Sequence, residues 1–253
     1  MAAYGYRATI GLIVPPRTNE TILYEMMKVA PEGVSWCVST LCLVEQEHEA
    51  YRKALDMTEV CAAELVARGA KALTYAGLPP INAQGPRYHE EMTRRMKSAA
   101  PPSMPVITDL GAMLEAMELL KMRRVTVISN YKQEMLDRLI AALNAYDVEV
   151  VSSKGIHLSL AQQMTEASFN TAYDMAIDAY KNNPHTDGFF FACPQWPLVG
   201  NIDRIERETG LPAITQLQVL SWWVLKELGI PSTVANAGRL LSTEFIGAGA
   251  AGT

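Results

Sequence analysis

The sequence lacks the motifs of several large enzyme classes. GxxxxGK[ST], HExxH and GxSxG are absent, and the only GxGxxG spacing lies in the tail at 247–252, which we expect to fray. Nothing therefore supports a dinucleotide site, a nucleotide hydrolase, a zinc protease or a hydrolase nucleophile elbow. The four cysteines form no CxxC pair, which argues against zinc and thioredoxin-type chemistry. We expect no metal, no cofactor and no disulfides.

A basic surface and long apolar runs are also missing. The formal net charge is −5, so the chain offers little to neutralise phosphates, and we expect no nucleic-acid partner. No window reaches the roughly 18 apolar residues that cross a bilayer, and the start of the chain does not resemble a secretory signal. Hydrophobic residues make up 49%, which is typical of a folded chain. These features indicate a cytoplasmic protein with no membrane association, and they leave open whether it is a monomer or a homo-oligomer.

What the sequence does have is a regular alternation of apolar strands and amphipathic helices. Continuous apolar runs are typical of parallel strands that are buried on both faces, and strict alternation predicts right-handed crossovers. Strands are predicted at Ala8–Val14, Val34–Leu43, Lys71–Tyr75, Pro105–Thr108, Arg124–Ser129, Glu149–Ser153, Gly188–Cys193 and Ala213–Thr215. Helices are predicted at His48–Arg68, Tyr88–Lys97, Leu110–Leu120, Lys132–Asn144, Leu160–Lys181, Ile202–Glu208 and Leu217–Leu228.

Eight strands can close a barrel, but here they divide into two similar series of four. We therefore predict an α/β protein of two similar lobes, each a parallel four-stranded sheet flanked by helices, with the active site in the cleft between them. The first lobe is predicted to comprise residues 1–118 plus 214–253, and the second 119–213. Ligands of open parallel sheets bind beyond the carboxyl ends of the strands, which directs attention to the residues that follow each strand.

Cys193 is the strongest candidate at such a strand end. It follows the apolar FFFA run and precedes Pro194 and Gln195, at a predicted strand-to-helix turn. Backbone N–H groups at such a turn can bind an oxyanion and lower the pKa of a thiol. The alternative is a buried structural cysteine. Packing roles are expected for Cys37, Cys42 and Cys61.

Tyr131, His157 and Asn19 are further candidates. The phenol of Tyr131 can bind a carboxylate, but the residue can equally pack at the start of a helix. A histidine can shuttle protons, which makes His157 a candidate, although a single histidine is often a bystander. Asn19 can cap a helix, and it can also donate a hydrogen bond to a substrate oxygen.

These strand-end residues resemble the aspartate/glutamate racemase superfamily, in the branch of maleate cis-trans isomerase and arylmalonate decarboxylase. GLIVPP at Gly11–Pro16 is similar to the opening strand and loop of the family, and Asn19 to the asparagine of the isomerase loop. The segment RGAKALTYAG resembles the first-lobe segment. Tyr131 is similar to a carboxylate-binding tyrosine and Cys193 to the second-lobe cysteine. The resemblance covers nearly the whole chain.

The resemblance implies two α/β lobes with the active site between their strand ends. Racemases and maleate isomerases carry one cysteine in each lobe, whereas the first-lobe position here is Gly77, the pattern of arylmalonate decarboxylases. Those decarboxylases follow their glycine with Thr and Ser, whose hydroxyls hold a carboxylate, but here Leu78-Pro79-Pro80 follow. Cys193 and Gly77 are therefore the expected catalytic positions. The expected substrate-binding residues are Pro16, Asn19, Tyr75, Leu78, Tyr131, His157, Pro194 and Gln195.

A single thiol suits one-sided protonation. Loss of CO₂ from a malonate leaves an enediolate, and a thiol with a pKa near ~8.5 is mostly protonated at neutral pH, so it can act as the acid. The leading hypothesis is a cofactor-independent decarboxylase of a substituted malonate or related carboxylic acid, with Cys193 as proton donor and Gly77 leaving room beside the reacting carbon. Backbone groups near Cys193 and Pro194 are expected to help hold the retained carboxylate.

Three alternatives remain open at this point. The first is a maleate-type cis-trans isomerase or racemase-like enzyme that uses Cys193 as nucleophile or acid/base. The second is a two-lobed binding protein without catalytic activity. The third is a hydrolase that forms a thioester-like intermediate on Cys193.

Overall fold

The computed structural model describes residues 4–158, 167–231 and 233–242. The strands are β1 (Ala8–Pro16), β2 (Val34–Leu43), β3 (Ala72–Tyr75), β4 (Val106–Thr108), β5 (Arg124–Ser129), β6 (Glu149–Gly155), β7 (Gly188–Ala192) and β8 (Ala213–Thr215). They form two four-stranded parallel sheets, of order β2-β1-β3-β4 in the first lobe and β6-β5-β7-β8 in the second. The predicted fold class is confirmed.

Helices connect the strands in both lobes. In the described residues they are α1 (Glu20–Val29), α2 (His48–Leu55), α3 (Thr58–Ala67), α4 (Leu78–Asn82), α5 (Tyr88–Ser98), α6 (Asp109–Leu119), α7 (Gln133–Asn144), α8 (Thr171–Asn182), α9 (Val199–Thr209) and α10 (Gln216–Glu227), with a 3-10 turn at Arg239–Leu241. None of the helices in this described part is long and apolar enough to span a membrane.

The core follows the strand order. The central strands are almost completely buried because helices cover both faces of each sheet, and all five residues of β7 are buried. The edge strands β2 and β6 are mostly half-buried, in agreement with their more polar sequences. The apolar runs that predicted the strands are therefore the runs that fill the core.

The segment expected to form one helix from His48 to Arg68 is divided into α2 and α3. The carbonyl of Leu55 accepts a hydrogen bond from the hydroxyl of Thr58 at 2.6 Å and another from the guanidinium of Arg95 at 2.8 Å. These two bonds take the place of an intrahelical bond, so the first helix ends there. The second helix ends before Gly69, whose φ of +86° suits a glycine.

Two further helix predictions differ from the structure. The helix expected at Leu160–Lys181 is described only as α8, from Thr171; residues 160–166 of that prediction lie outside the described residues, and 167–170 are not helical. The short helix α4 was not expected, but prolines at its first turn are compatible with helix initiation because their missing N–H groups have no intrahelical partner there.

The two sheets have the same register. Thr108, the last residue of β4, pairs with Tyr75 of β3, and Thr215, the last residue of β8, pairs with Phe191 of β7. Gly77 lies two residues after Tyr75, and Cys193 lies two residues after Phe191. These two residues therefore occupy equivalent positions of the repeated fold.

The neighbouring strands extend this equivalence. Ile13 of β1 also pairs with Tyr75, and Ile128 of β5 also pairs with Phe191. Pro15 lies two residues after Ile13, and Asn130 lies two residues after Ile128. The Pro15–Gly77 pair is therefore the structural counterpart of the Asn130–Cys193 pair.

The division of the chain at 213/214 is not compatible with the sheet pairing. Strand β8 pairs with β7, so residues 214 and 215 belong to the second sheet and not to the first lobe. Helix α10, which follows β8, returns to pack against α6 and α1 of the first lobe. It therefore connects the two lobes through their cores.

Candidate active site

One cavity lies where the carboxyl ends of the two sheets face each other. The space between its walls is about 430 Å³, including its opening. Both lobes contribute to it, and most of its wall is apolar. The lining residues are Pro15, Pro16, Ile22, Leu43, Gln46, Tyr51, Ala76, Gly77, Pro79 and Pro80 from the first lobe and Tyr131, Cys193, Pro194 and Gln195 from the second.

Cys193 contributes the only thiol among the described lining residues. Its backbone has a φ of +70°, in the left-handed region that side chains rarely adopt, and the residue is 4% exposed. Burial raises the pKa of the thiol to about 12, while the backbone N–H of Gln195 and the amide of Asn130 act in the opposite direction. The sulfur is therefore protonated at neutral pH, which suits a proton donor better than a nucleophile.

Pro15 occupies the space beside Gly77. A Cβ atom on Gly77 would lie 2.3 Å from Cγ of Pro15 and 2.8 Å from the hydroxyl oxygen of Tyr75. The φ of Gly77 is 174°, which any residue adopts, so the requirement for glycine arises from the proline ring and not from the backbone. The room that the sequence suggested at Gly77 is therefore filled by Pro15.

A buried hydrogen-bond chain joins the two strand ends. The backbone N–H of Gly77 donates to Oδ2 of Asp109 at 2.7 Å, and Nε2 of Gln216 donates to the same oxygen at 2.6 Å. The backbone N–H of Leu110 donates to Oδ1 at 2.9 Å. The backbone N–H of Cys193 donates to Oε1 of Gln216. The backbone donors at both strand ends are therefore bonded within the protein and unavailable to a substrate.

Burial also perturbs the acid in this chain. It raises the pKa of Asp109 to about 7, against hydrogen bonds from Gln216, Gly77 and Leu110 that favour the ionised form. Burial likewise raises the pKa of Tyr75 and Tyr131, and the charge of Asp109 adds to both shifts. Both hydroxyls are therefore neutral at physiological pH.

Several buried polar groups near the cavity lack conventional partners in the described residues. Both amide atoms of Asn130, which is completely buried, have no such partner, although the amide approaches the sulfur of Cys193. The hydroxyl of Tyr75 is also unpartnered. Unsatisfied buried polar groups are costly, so such groups are typical of a site that a polar ligand completes.

Six of the ten expected site residues line the cavity, and four do not. His157 is exposed and lies beside Gly155, outside the lining set. Asn19 is next to the cavity wall but donates its amide to the carbonyl of Pro16 at 2.7 Å, and it makes no side-chain cap to α1. Leu78 is completely buried and belongs to the core, as does Tyr75, whose hydroxyl reaches only the space beside Gly77.

The sequence analysis missed Asp109 and Gln216. A local signal for both exists, since Pro105 to Asp109 reads PVITD and Pro212 to Gln216 reads PAITQ. Each segment is a short strand followed by a helix whose N-cap threonine accepts a hydrogen bond from the first turn. The candidates named at strand ends all follow the other six strands, and none of them follows β4 or β8.

The other cysteines lie outside the cavity. Cys61 is buried and Cys37 is half-buried, whereas Cys42 is exposed at the end of β2, with a φ of +54°. The described part of the chain, which includes all four cysteines, contains no disulfide. Its His, Cys, Asp and Glu side chains form no group of three that could hold a metal ion. The packing role expected for Cys42 is therefore wrong, because its side chain is at the surface.

Comparisons with known proteins agree with this architecture. The chain is 28% identical over 247 residues to a maleate isomerase of Geobacillus stearothermophilus, covering 93% of this chain and 98% of that one. It is 23% identical over 221 residues to the arylmalonate decarboxylase of Bordetella bronchiseptica, covering 87% and 90%. A mutant of the Nocardia farcinica maleate cis-trans isomerase, solved with a covalently bound succinylcysteine intermediate, superposes with a TM-score of 0.82 at 20% identity, covering 92% and 98%. The model of the arylmalonate decarboxylase family matches residues 10–241, and the chain therefore belongs to that family.

Proposed function

We propose that this protein is a cofactor-independent decarboxylase of a substituted malonate or a related carboxylic acid. The observation that carries the proposal is the ring of Pro15, which fills the position where a side chain of residue 77 would begin, opposite the Cys193 end of the cavity. One thiol faces the cavity, so acid–base chemistry on one face of a carbon atom is what this site supports.

The reaction then follows from the properties of that thiol. The bond between the central carbon and the departing carboxylate breaks, and its electron pair becomes the enediolate of the retained carboxylate. The S–H bond of Cys193 breaks as its proton is transferred to the carbon, and water returns a proton to the sulfur. A buried thiol with a raised pKa holds its proton until such a strong base forms next to it.

Neutral donors are available for the retained carboxylate. The phenol of Tyr131 lines the cavity, and the buried amide of Asn130 lies beside the thiol of Cys193 at the cavity wall. Donors held in place before the reaction stabilise an enediolate without reorganisation. The described lining contains no lysine or arginine, and the apolar walls formed by residues such as Ile22 and Leu43 disfavour the charged carboxylate that leaves.

The second candidate is a cis-trans isomerase, and the names of the relatives favour it. The relatives of this chain include maleate isomerases, among them one at 28% identity. The Nocardia farcinica structure holds a covalent succinylcysteine, which indicates a cysteine nucleophile in that enzyme. For this chain the same chemistry requires Cys193 to act as a thiolate, against the burial that favours its protonated form.

Turnover in D₂O separates these candidates. We expect release of CO₂ from an arylmalonate or alkylmalonate, with one deuterium at the α-carbon of the product, and loss of this activity in Cys193→Ser. Cys42→Ser provides a matched control, because it removes a thiol that lies outside the cavity. Conversion of maleate to fumarate without deuterium incorporation, together with no CO₂ release from any malonate, would establish the isomerase instead.

Three other results would also reject the proposal. Full malonate turnover by Cys193→Ser would show that another group donates the proton. Tight binding of malonates or maleate without turnover would indicate a binding protein. Hydrolysis of a thioester or amide substrate, with an acyl adduct on Cys193 detected by mass spectrometry, would indicate a hydrolase.

A further inference from the structure

The buried contact between Asp109 and Gln216 links the two lobes at their equivalent positions. Each residue is the first of a helix that follows a strand, and each accepts the backbone N–H at the neighbouring strand end, from Gly77 or from Cys193. Both side chains are completely buried. Their mutual hydrogen bond, at 2.6 Å, therefore joins equivalent positions of the two lobes.

The chemistry of the pair allows only one arrangement. Oδ2 of Asp109 accepts the N–H of Gly77 and has one lone pair left for Gln216, even when the other oxygen carries a proton. It therefore requires the NH₂ group of Gln216 to face it. The carbonyl oxygen of Gln216 is then fixed toward the N–H of Cys193. A flipped amide would place an oxygen against the carboxylate and two donors against each other. The first lobe therefore dictates the orientation of an acceptor in the second.

We propose that Asp109 and Gln216 are a positioning pair that fixes the backbone of Cys193 and so the direction in which its thiol faces the cavity. The inference rests on the proposed function because it takes Cys193 as the proton donor. Neither member of the pair lines the cavity, so neither is expected to touch the substrate.

The conformation of Cys193 supports this role. A φ of +70° is unfavourable for any residue with a side chain, and it persists only where surrounding contacts enforce it. The hydrogen bond from the N–H of Cys193 to Gln216 is such a contact, and the bond from Gln216 to Asp109 holds the acceptor in place. Loss of either bond lets the residue relax and turns the sulfur away from its present position.

Removal of either partner tests the pair. Asp109→Leu removes the acceptor that holds Gln216, and Gln216→Met removes the acceptor of the Cys193 N–H. Asp109→Asn is the conservative variant, because its amide oxygen can still accept from Gly77 and from Gln216. In the double variant Asp109→Leu with Gln216→Met the contact is already absent, so the second change should add little to the first. Glu206→Gln is the matched control, because Glu206 is a buried carboxylate that accepts backbone N–H groups from Ala213 and Arg239, away from the cavity.

The main measurement is the enantiomeric excess of the product from a malonate with two different substituents. It reports how the thiol faces the intermediate, and it does not depend on how much of the enzyme is folded. We expect Asp109→Leu and Gln216→Met each to lose enantiomeric excess and to lower kcat by roughly 10- to 100-fold, with KM changed by less than about threefold. The double variant should lose little more than either single variant, Asp109→Asn should retain more of both than Asp109→Leu, and Glu206→Gln should retain both.

A second measurement needs no substrate. Alkylation by iodoacetamide, followed by peptide mass spectrometry, gives the rate at Cys193 relative to the exposed Cys42 of the same molecule. The ratio should rise in Asp109→Leu and in Gln216→Met, because the strand end is released, and it should rise less in Asp109→Asn. Absence of malonate turnover in the unmodified enzyme would reject the proposed function, and the alkylation ratio would then decide the positioning role alone. Unchanged enantiomeric excess, or an unchanged ratio in that case, would overturn it.

Discussion

The carboxyl ends of β3 and β7 have the same backbone plan but different side chains. In the first lobe Gly77 lies against the ring of Pro15, whereas in the second lobe Cys193 lies near the amide of Asn130. Both strand ends donate their N–H to the first residue of a neighbouring helix, which is Asp109 or its equivalent. The two strand ends thus differ in one pair of residues. The first is closed by a proline ring, and the second carries the thiol.

Making the second strand end resemble the first should abolish activity without unfolding the protein. Cys193→Gly is expected to lower turnover by about 10²- to 10⁴-fold, the usual contribution of a general acid. Glycine adopts the left-handed φ of this position freely, so we expect the free energy of unfolding to change by less than about 1 kcal/mol. Turnover and urea denaturation measure the two effects.

Cys42→Gly is the control for this substitution. Cys42 also has a left-handed φ, but it is exposed and does not line the cavity. We expect this variant to retain full turnover. Substantial activity in Cys193→Gly would show that the thiol is not the proton donor.

Asp109 of the first lobe should respond to pH, whereas the amide of Gln216 in the second lobe should not. Asp109 has a folded-state pKa of about 7 and an unfolded one near ~3.9, so the folded protein binds the extra proton between these values. The stability that this proton contributes is present below pH ~4 and is lost as the pH rises through 7. The free energy of unfolding of the unmodified protein, minus that of Asp109→Asn, should therefore fall by a few kcal/mol, at most ~4, between pH 4 and 8. A difference that is constant over this range would contradict the shifted pKa.

A cysteine in the first strand end should be poorly tolerated unless Pro15 is also changed. Gly77→Cys is expected to lower the free energy of unfolding by about 1–3 kcal/mol, because the new Cβ overlaps the proline ring. Combination with Pro15→Ala should cost less than the sum of the two single changes, since the overlap is removed. Chemical denaturation of the three variants measures this coupling. Additive effects would show that Pro15 is not the obstacle.

The smallest difference concerns the helix caps that follow β4 and β8. Thr108→Ala and Thr215→Ala should each lower the free energy of unfolding by about 1 kcal/mol. Thr215 should cost more, because it forms a reciprocal capping box with Gln218, whereas Thr108 accepts from Gly111 without a returning bond and otherwise makes only a long contact of 3.4 Å with Nδ1 of His89. Urea denaturation of both variants gives the comparison, and a larger loss for Thr108→Ala would reverse the expected order.

All eight strands could be predicted because continuous apolar runs and buried parallel strands have the same cause. Helix α1 escaped prediction for a related reason. Its apolar and polar residues do alternate with helical spacing, but Leu23, Tyr24 and Met27 lie on its exposed side while Glu25 is buried. Sequence periodicity can therefore indicate a helix without identifying the side that it buries.

The candidate site was predictable in part. The thiol and the phenol of Tyr131 stand at strand ends that local sequence identifies, and both line the cavity. The contact between Pro15 and Gly77 joins residues 62 positions apart, and that between Asp109 and Gln216 joins residues 107 apart. Such contacts depend on how the sheets are placed, which no local pattern encodes. His157 followed the strand-end rule too, but the chain after β6 carries it to the surface.

The ring of Pro15 imposes an order on evolutionary change at this cavity. A lineage that acquires a second thiol at position 77 must first, or at the same time, replace the proline, because the intermediate with both side chains is overcrowded. The opposite route, from two thiols to one, has no such barrier, since loss of the cysteine opens the space that a proline then fills. The present combination of Pro15 and Gly77 is therefore easier to reach by single substitutions than to replace.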